Sequence, residues 1–216
     1  MVEYSNLTNI LLLKTLEKLG PDFYVRANVV KIAAELIGKI LVTEFEGIVT
    51  AGRIVETEAY AGKTDMASHA RKGLRTPRTA VMYKSGGIAY VYLCYGIHHL
   101  FNVVTNKENI PHAVLIRSLE PLTGIEWMLK RTGKKNLDFT LTRGPGNVAK
   151  ALGLFTHHNG SDLTGTELYI LKDDFSIQKK DILATKRIGV AYAGKDADLP
   201  YRFILKNNQY VSGLKK

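Results

Sequence analysis

Glu56, Glu58 and Tyr60 occupy alternate positions of the segment Arg53-Ile-Val-Glu-Thr-Glu-Ala-Tyr60, and His69 follows after a short loop. The period-two pattern reads as a β-strand that places Ile54, Glu56, Glu58 and Tyr60 on one face. At the usual rise per residue the two carboxylates lie roughly 6–7 Å apart. That separation suits glycoside hydrolysis, in which one acid protonates the leaving group and the other activates water. A second reading stays open, in which one or both glutamates simply pair with Arg or Lys of a neighbouring strand. Unpaired burial would cost roughly several kcal/mol each, so the acids must line a polar cleft or meet cations.

The surroundings favour a polyanionic partner. Arg71, Lys72, Arg75, Arg78 and Lys84 lie in a stretch, 71–84, that holds no Asp or Glu. Over the whole chain thirty Lys and Arg face twenty Asp and Glu, a net charge of +10. Such a balance points to nucleic acid, although a basic enzyme without that partner is compatible with it. Tyr60, His69, Tyr90, Tyr92 and Tyr95 supply flat faces of the kind on which nucleobases stack. Tyrosines are also common at the edges of sheet cores, and Tyr90 fits that plainer role. Tyr95, beside Gly96 between two strand patterns, is expected at an exposed hairpin tip, from which it could wedge into a duplex step.

Other chemistries find little support. Cys94 is the only cysteine, so no intramolecular disulfide can form, and its strand setting reads as packing. The pairs His98-His99 and His157-His158 lack metal-ligand spacing, so no metal and no cofactor are expected. Arg143-Gly-Pro-Gly146 fits neither phosphate-loop fingerprint, though it could set backbone amides at a helix N-terminus. The apolar run 10–13 is too short to span a membrane, and an intracellular, soluble protein is expected.

The elements that must position these residues follow from periodicity and turn chemistry. Helices are predicted over 5–19, 28–37, from a capping box at Thr123-Gly-Ile-Glu126 to Gly133, and from Gly144-Pro145 to Leu152. Strands are predicted at 39–45, 50–60, 88–95, 98–105, 113–119, 167–171, 187–193 and 202–206. Gly47 and Tyr95-Gly96 mark two hairpins. The fold class is therefore α+β: a single domain over 1–216, with a curved, mostly antiparallel sheet flanked by helices. Residues 1–20 form an N-terminal helical extension.

Six blocks stand in order along the chain: VETEAY at 55–60, SHARKGLRTPR at 68–78, AYVYLCYGIHHLFNVVT at 89–105, AVLIRSLEPL at 113–122, RGPGNVAKALG at 143–153 and RIGVAYAG at 187–194. Together they resemble the alkyladenine (3-methyladenine) DNA glycosylase family over about residues 22–212. The resemblance implies that the protruding hairpin enters the DNA minor groove and that a flipped purine is excised. By position, Glu58 matches the general base that activates water, and Arg117 the arginine that helps hold that water, with the Val190 backbone beside it. Tyr60 matches the aromatic on one face of the base, and His69 and Tyr92 those on the other. Asn102 matches the pocket-wall residue that penalises the guanine amino group, and Tyr95 the residue that fills the vacated stack. Arg71, Lys72, Arg75, Arg78 and Lys84 are the expected backbone contacts. Glu56 is left a supporting role, and no lysine matches a nucleophile, which implies a monofunctional enzyme without lyase activity.

The implied partner is double-stranded DNA carrying damaged purines; a monomer is expected, because one enzyme on one lesion needs no symmetry. Alkylated purines are positively charged, and an electron-rich aromatic pocket is expected to attract them. Two other classes remain: a non-catalytic nucleic-acid-binding module, in which the glutamates are merely paired, and a carbohydrate hydrolase using both carboxylates.

Overall fold

In the computed structural model, residues 2–173, 175 and 177–213 are described, the side chains only from residue 8 onward. Helices α1 (Val2–Thr15), α2 (Pro21–Tyr24) and α3 (Val29–Leu36) precede the hairpin of β1 (Ile40–Phe45) and β2 (Ile48–Tyr60). After a loop of short helical turns come β3 (Ala89–Cys94), β4 (His98–Thr105) and β5 (His112–Thr123). Then follow α4 (Ile125–Thr132), α5 (Pro145–Leu152), β6 (Leu168–Leu171), β7 (Ile182–Thr185) and β8 (Arg202–Leu205).

All strand neighbours are antiparallel, in the order β3-β4-β5-β2-β1-β6, with β8 on β2 and β7 on β8. The sheet forks along β2. Its residues 48–53 pair with β1, whereas Glu56, Thr57 and Glu58 pair with β8 on the same edge. The α+β class expected from the hairpins holds. Helix signals worked where the local chemistry was unambiguous. Asn28 caps α3, its Oδ1 accepting from the Lys31 amide at 2.9 Å. Val29, Ile32, Ala33 and Leu36 bury one face of α3 against the main core. Pro145 opens α5, and Gly153, at φ 70°, closes it.

The register of β2 against β5 is broken twice around Glu56. Ile54 faces Leu119 and Glu56 faces Ser118, so Val55 is an extra residue; Thr57 then faces Ile116, which leaves Arg117 extra on the partner strand. A bulge of this kind turns side chains to new directions. Ile54 and Ala59 pack into the main core, and the Thr57 hydroxyl donates to the Ala33 carbonyl on that side. Val55 packs instead with Ile204 and Val211. The expectation that Ile54 shares the face of Glu56, Glu58 and Tyr60 is therefore overturned. The bulge keeps the acids together and sends Ile54 to the opposite side.

Three other boundaries differ. The first helix ends at Thr15, because residues 17–19 run extended beside β6, with the Leu19 amide donating to Ile170 and the Lys172 amide to Glu17. The capping box does not open α4: Thr123 closes β5 and Gly124, at φ 72°, takes the N-cap. Residues 187–193 form no strand. Gly189 and Gly194 both have positive φ, and Ala191–Asp198 coils into 3-10 turns. The strand on this side is β7, which sequence periodicity did not mark. Among the described residues no helix is long and apolar enough to cross a membrane.

Candidate active site

A cavity of about 530 Å³ opens where the loop after β2, the β3–β4 hairpin, β5 and the 188–192 loop converge. Its lining brings together Tyr60, His69, Tyr92, Tyr95, Asn102, Arg117 and Val190. Arg71 and Arg78 of the basic stretch also line it, whereas Lys72, Arg75 and Lys84 do not.

Glu58 lies directly beneath the floor, with no exposed surface. Its Oε2 accepts from the Tyr60 hydroxyl at 2.7 Å, and its Oε1 from the Ile188 amide at 2.7 Å. Arg117 Nη1 stands 3.3 Å from Oε1. Tyr60, Ile188 and Arg117 all line the cavity. Burial, and then the Glu58 charge, push the Tyr60 phenol far up, so it stays a donor.

Glu56 is equally buried but closed off. Its oxygens accept from Arg117 Nε at 2.8 Å, Arg202 Nε at 2.7 Å, the Ser118 hydroxyl at 2.8 Å, and both the amide and hydroxyl of Ser212 at 2.7 and 2.9 Å. Burial drives its carboxyl up, but Arg117, Arg202 and the Ser212 amide together outweigh it and hold the group below the ordinary carboxylate range. Arg117 is held fully charged: burial opposes the charge, and Glu58 and Glu56 more than restore it.

His69 forms one wall with Tyr92, the ring centroids 4.7 Å apart and near perpendicular. Its Nε2 is 3.2 Å from Arg78 Nη2, and its Nδ1 2.8 Å from the Tyr90 hydroxyl. A guanidinium can only donate, so Nε2 accepts and Nδ1 carries the proton. Burial first, then Arg78 and Arg71, lower the imidazole to about 4, which keeps this tautomer neutral. The hydrogen bond gives Tyr90 a place in this network as well as in the core. Asn102 donates from Nδ2 to the Tyr90 carbonyl at 3.1 Å.

Tyr95 stands at the hairpin tip and is 90% exposed. Its φ of 50° and the 72° of Gly96 form the tight turn, closed by the Ile97 amide on the Cys94 carbonyl at 3.0 Å. A tyrosine in the left-handed region is uncommon. Cys94, half-buried, lines the cavity rim.

Several residues at the site escaped the sequence. Tyr192 lines the mouth, 62% exposed, with its hydroxyl on the Ala67 carbonyl at 2.9 Å. Arg187 grips both oxygens of Asp65 at 2.5 and 2.9 Å and donates to the Ala59 and Asp196 carbonyls. The Ser212 and Arg202 contacts to Glu56 come from the far C-terminal segment. Gly189 and Gly194, bracketing the 190–193 segment, were the available signal that this region is a loop. Among the described residues no group of His, Cys, Asp and Glu is placed to hold a metal.

The methylpurine-DNA glycosylase family profile matches residues 22–209. A relative from Desulfitobacterium hafniense is 44% identical over 204 residues, which cover 91% of this chain and 99% of the relative. One from Chlamydia felis is 46% identical over 188 residues, covering 87% and 95% respectively. One from Clostridium acetobutylicum is 45% identical over 206 residues, covering 92% and 99%. All three are provisionally named 3-methyladenine DNA glycosylases.

Proposed function

The chain belongs to the methylpurine-DNA glycosylase family, and from that premise we propose that it excises alkylated or deaminated purines from double-stranded DNA by hydrolysing the N-glycosidic bond. One observation carries the catalytic assignment. Each partner of the Glu58 carboxylate lines the cavity, and its two hydrogen-bond donors and one longer ion pair leave part of its roughly four lone-pair sites unfilled.

The damaged nucleotide is extruded from the duplex, at a cost of roughly a few kcal/mol, and enters the cavity. Tyr60 stacks on one face of the base, and His69 and Tyr92 on the other. The His69 backbone amide donates to the base edge, and Asn102 disfavours a guanine amino group. Tyr95 fills the stack the base has left, while Arg71, Lys72, Arg75 and Lys84 meet phosphates. The attacking water takes the free acceptor site of Glu58, beside the long Arg117 contact and the Val190 backbone. Glu58 removes its proton as the water adds to the sugar C1′ and the base departs. The cavity lining holds no lysine, which supports water rather than an amine as nucleophile and hence no strand cleavage. The chain acts as a monomeric single domain, with the N-terminal segment docked on the sheet through Leu13, which is buried with Ile40 and Leu171.

Duplexes bearing one hypoxanthine, ethenoadenine or methylated purine, incubated without metal and cleaved by alkali, test this directly. Lesion-dependent product from wild type that is lost in Glu58→Gln is expected. Equal product from both would remove Glu58 as the base. No product on any lesion, with salt-sensitive DNA binding retained, would leave a binding module.

A further inference from the structure

Both aromatic walls of the cavity already carry a cation. The Arg78 guanidinium sits 4.6 Å from the Tyr92 ring centroid, and that of Arg187 4.9 Å from the Tyr60 centroid. Arg187 is buried and absent from the cavity lining, so it loads Tyr60 from behind. Asp65 and two carbonyls fix it there. Arg78 is fixed less firmly, by His69 Nε2. Arg71 adds a further guanidinium to the lining, beside Arg78 and the glutamate-paired Arg117, and His69 stays neutral.

A ring attracts a cation through its electron-rich face. Here that attraction is partly taken up by arginines: Arg78 adds a positive charge at the wall of the space a base would occupy, while Asp65 neutralises Arg187 behind the other wall. The expectation that an electron-rich pocket draws in cationic purines therefore meets an opposing arrangement. Resting on the glycosylase reading, we propose that the Arg78–Tyr92 and Arg187–Tyr60 pairs are a specificity device that favours neutral damaged purines over positively charged ones in binding. Cationic lesions are then excised because their glycosidic bond is already weak, not because the pocket holds them. Neutral lesions such as hypoxanthine, whose bond is strong, gain the binding advantage.

The test is equilibrium binding in the Glu58→Gln background, which keeps the chemistry silent. Duplexes carry hypoxanthine or 7-methylguanine, the latter kept cationic at mildly acidic pH. Arg78→Gln should shift the ratio of the two Kd values toward the cationic lesion by roughly threefold to tenfold, the range expected for one cation–π pair. Asp65→Asn/Arg187→Gln, which removes the buried pair without stranding a charge, should shift it the same way. A lost phosphate contact would weaken both duplexes alike and leave the ratio still. An unchanged ratio in Arg78→Gln overturns the proposal, even if the buried double variant does not fold. Excision of neither lesion by the enzyme with Glu58 intact would instead overturn the glycosylase reading on which the proposal rests.

Discussion

Glu56 and Glu58 stand two residues apart on one strand, both fully buried and both in contact with Arg117. They nevertheless belong to different regions. Around Glu56, five donors converge on about four lone-pair directions, and Ser118, Arg202 and Ser212 all lie away from the cavity. Around Glu58, two hydrogen-bond donors and the longer Arg117 ion pair converge, and each of these partners lines the cavity. One carboxylate is saturated and ties the C-terminal segment to the sheet. The other keeps a free site next to open space. Unfilled acceptor capacity beside a cavity, more than residue type or burial, separates the group fit for chemistry from the group fit for structure.

The largest effect that could break this contrast is on activity. Glu58→Gln should lower single-turnover excision by about 10²–10⁴-fold, the usual worth of a positioned general base. Its fold should survive, since the amide oxygen can accept from Ile188 while the amide nitrogen donates to the Tyr60 hydroxyl. Glu56→Gln is the mirror experiment. Its amide nitrogen would meet the Ser212 amide or a hydroxyl, and two arginines would share one lost anion. Breaking a buried ion network from one side costs about 3–5 kcal/mol, which denaturant unfolding would register. A stable, inactive Glu56 variant beside an unstable Glu58 variant would reverse the two roles.

How much of this contrast could be read from the chain alone depends on where its causes lie. The pairing of Glu56 and Glu58 on one side was legible from alternation, because the bulge happens to preserve it. The placement of Ile54 was not, since a bulge depends on the register of β5, more than fifty residues away. The saturation of Glu56 was equally hidden, because Arg202 and Ser212 arrive from the other end of the chain. Tyr95 was legible because a turn is local: Gly96 beside a strand run suffices. The 187–193 segment misled through its branched and aromatic residues, while Gly189 and Gly194 carried the contrary signal. Arg78 read as one of a row of surface cations, and only its contacts with His69 and Tyr92 bring it into the site.

Acid separates the two regions further. His69, at the cavity wall, has its pKa lowered from 6.5 to about 4. The unfolded chain therefore binds a proton in this window that the folded protein refuses, and stability falls as pH drops from 6.5 toward 4. At 1.36 kcal/mol per unit the loss approaches roughly 2–3 kcal/mol. The Glu56 network has the carboxylate sign: its stabilisation is present above the ordinary 4.5 and is lost as pH falls through a still lower value. His112 and His158 are also lowered, so the wild-type slope alone does not isolate His69. His69→Gln should reduce the slope of the upper window, leaving what His112 and His158 contribute, and leave the lower one in place. An unchanged slope between pH 6.5 and 4.5 would mean that His69 titrates freely and that the Arg78 contact does not hold it neutral.

The smallest expected effect on the fold lies at the hairpin tip, where function and stability should part company. Tyr95 is 90% exposed and holds a left-handed backbone that tyrosine disfavours. Asparagine tolerates that conformation better, so Tyr95→Asn should leave stability unchanged or raise it by up to about 1 kcal/mol. The same change removes the ring that fills the vacated stack, and a base–aromatic contact is worth about 1–3 kcal/mol. The flipped population, followed with a fluorescent base analogue opposite saturating protein, should therefore fall by roughly tenfold or more. A variant that flips as well as wild type would make Tyr95 a bystander. One that unfolds more readily would place it with Glu56, among the residues that hold the structure together.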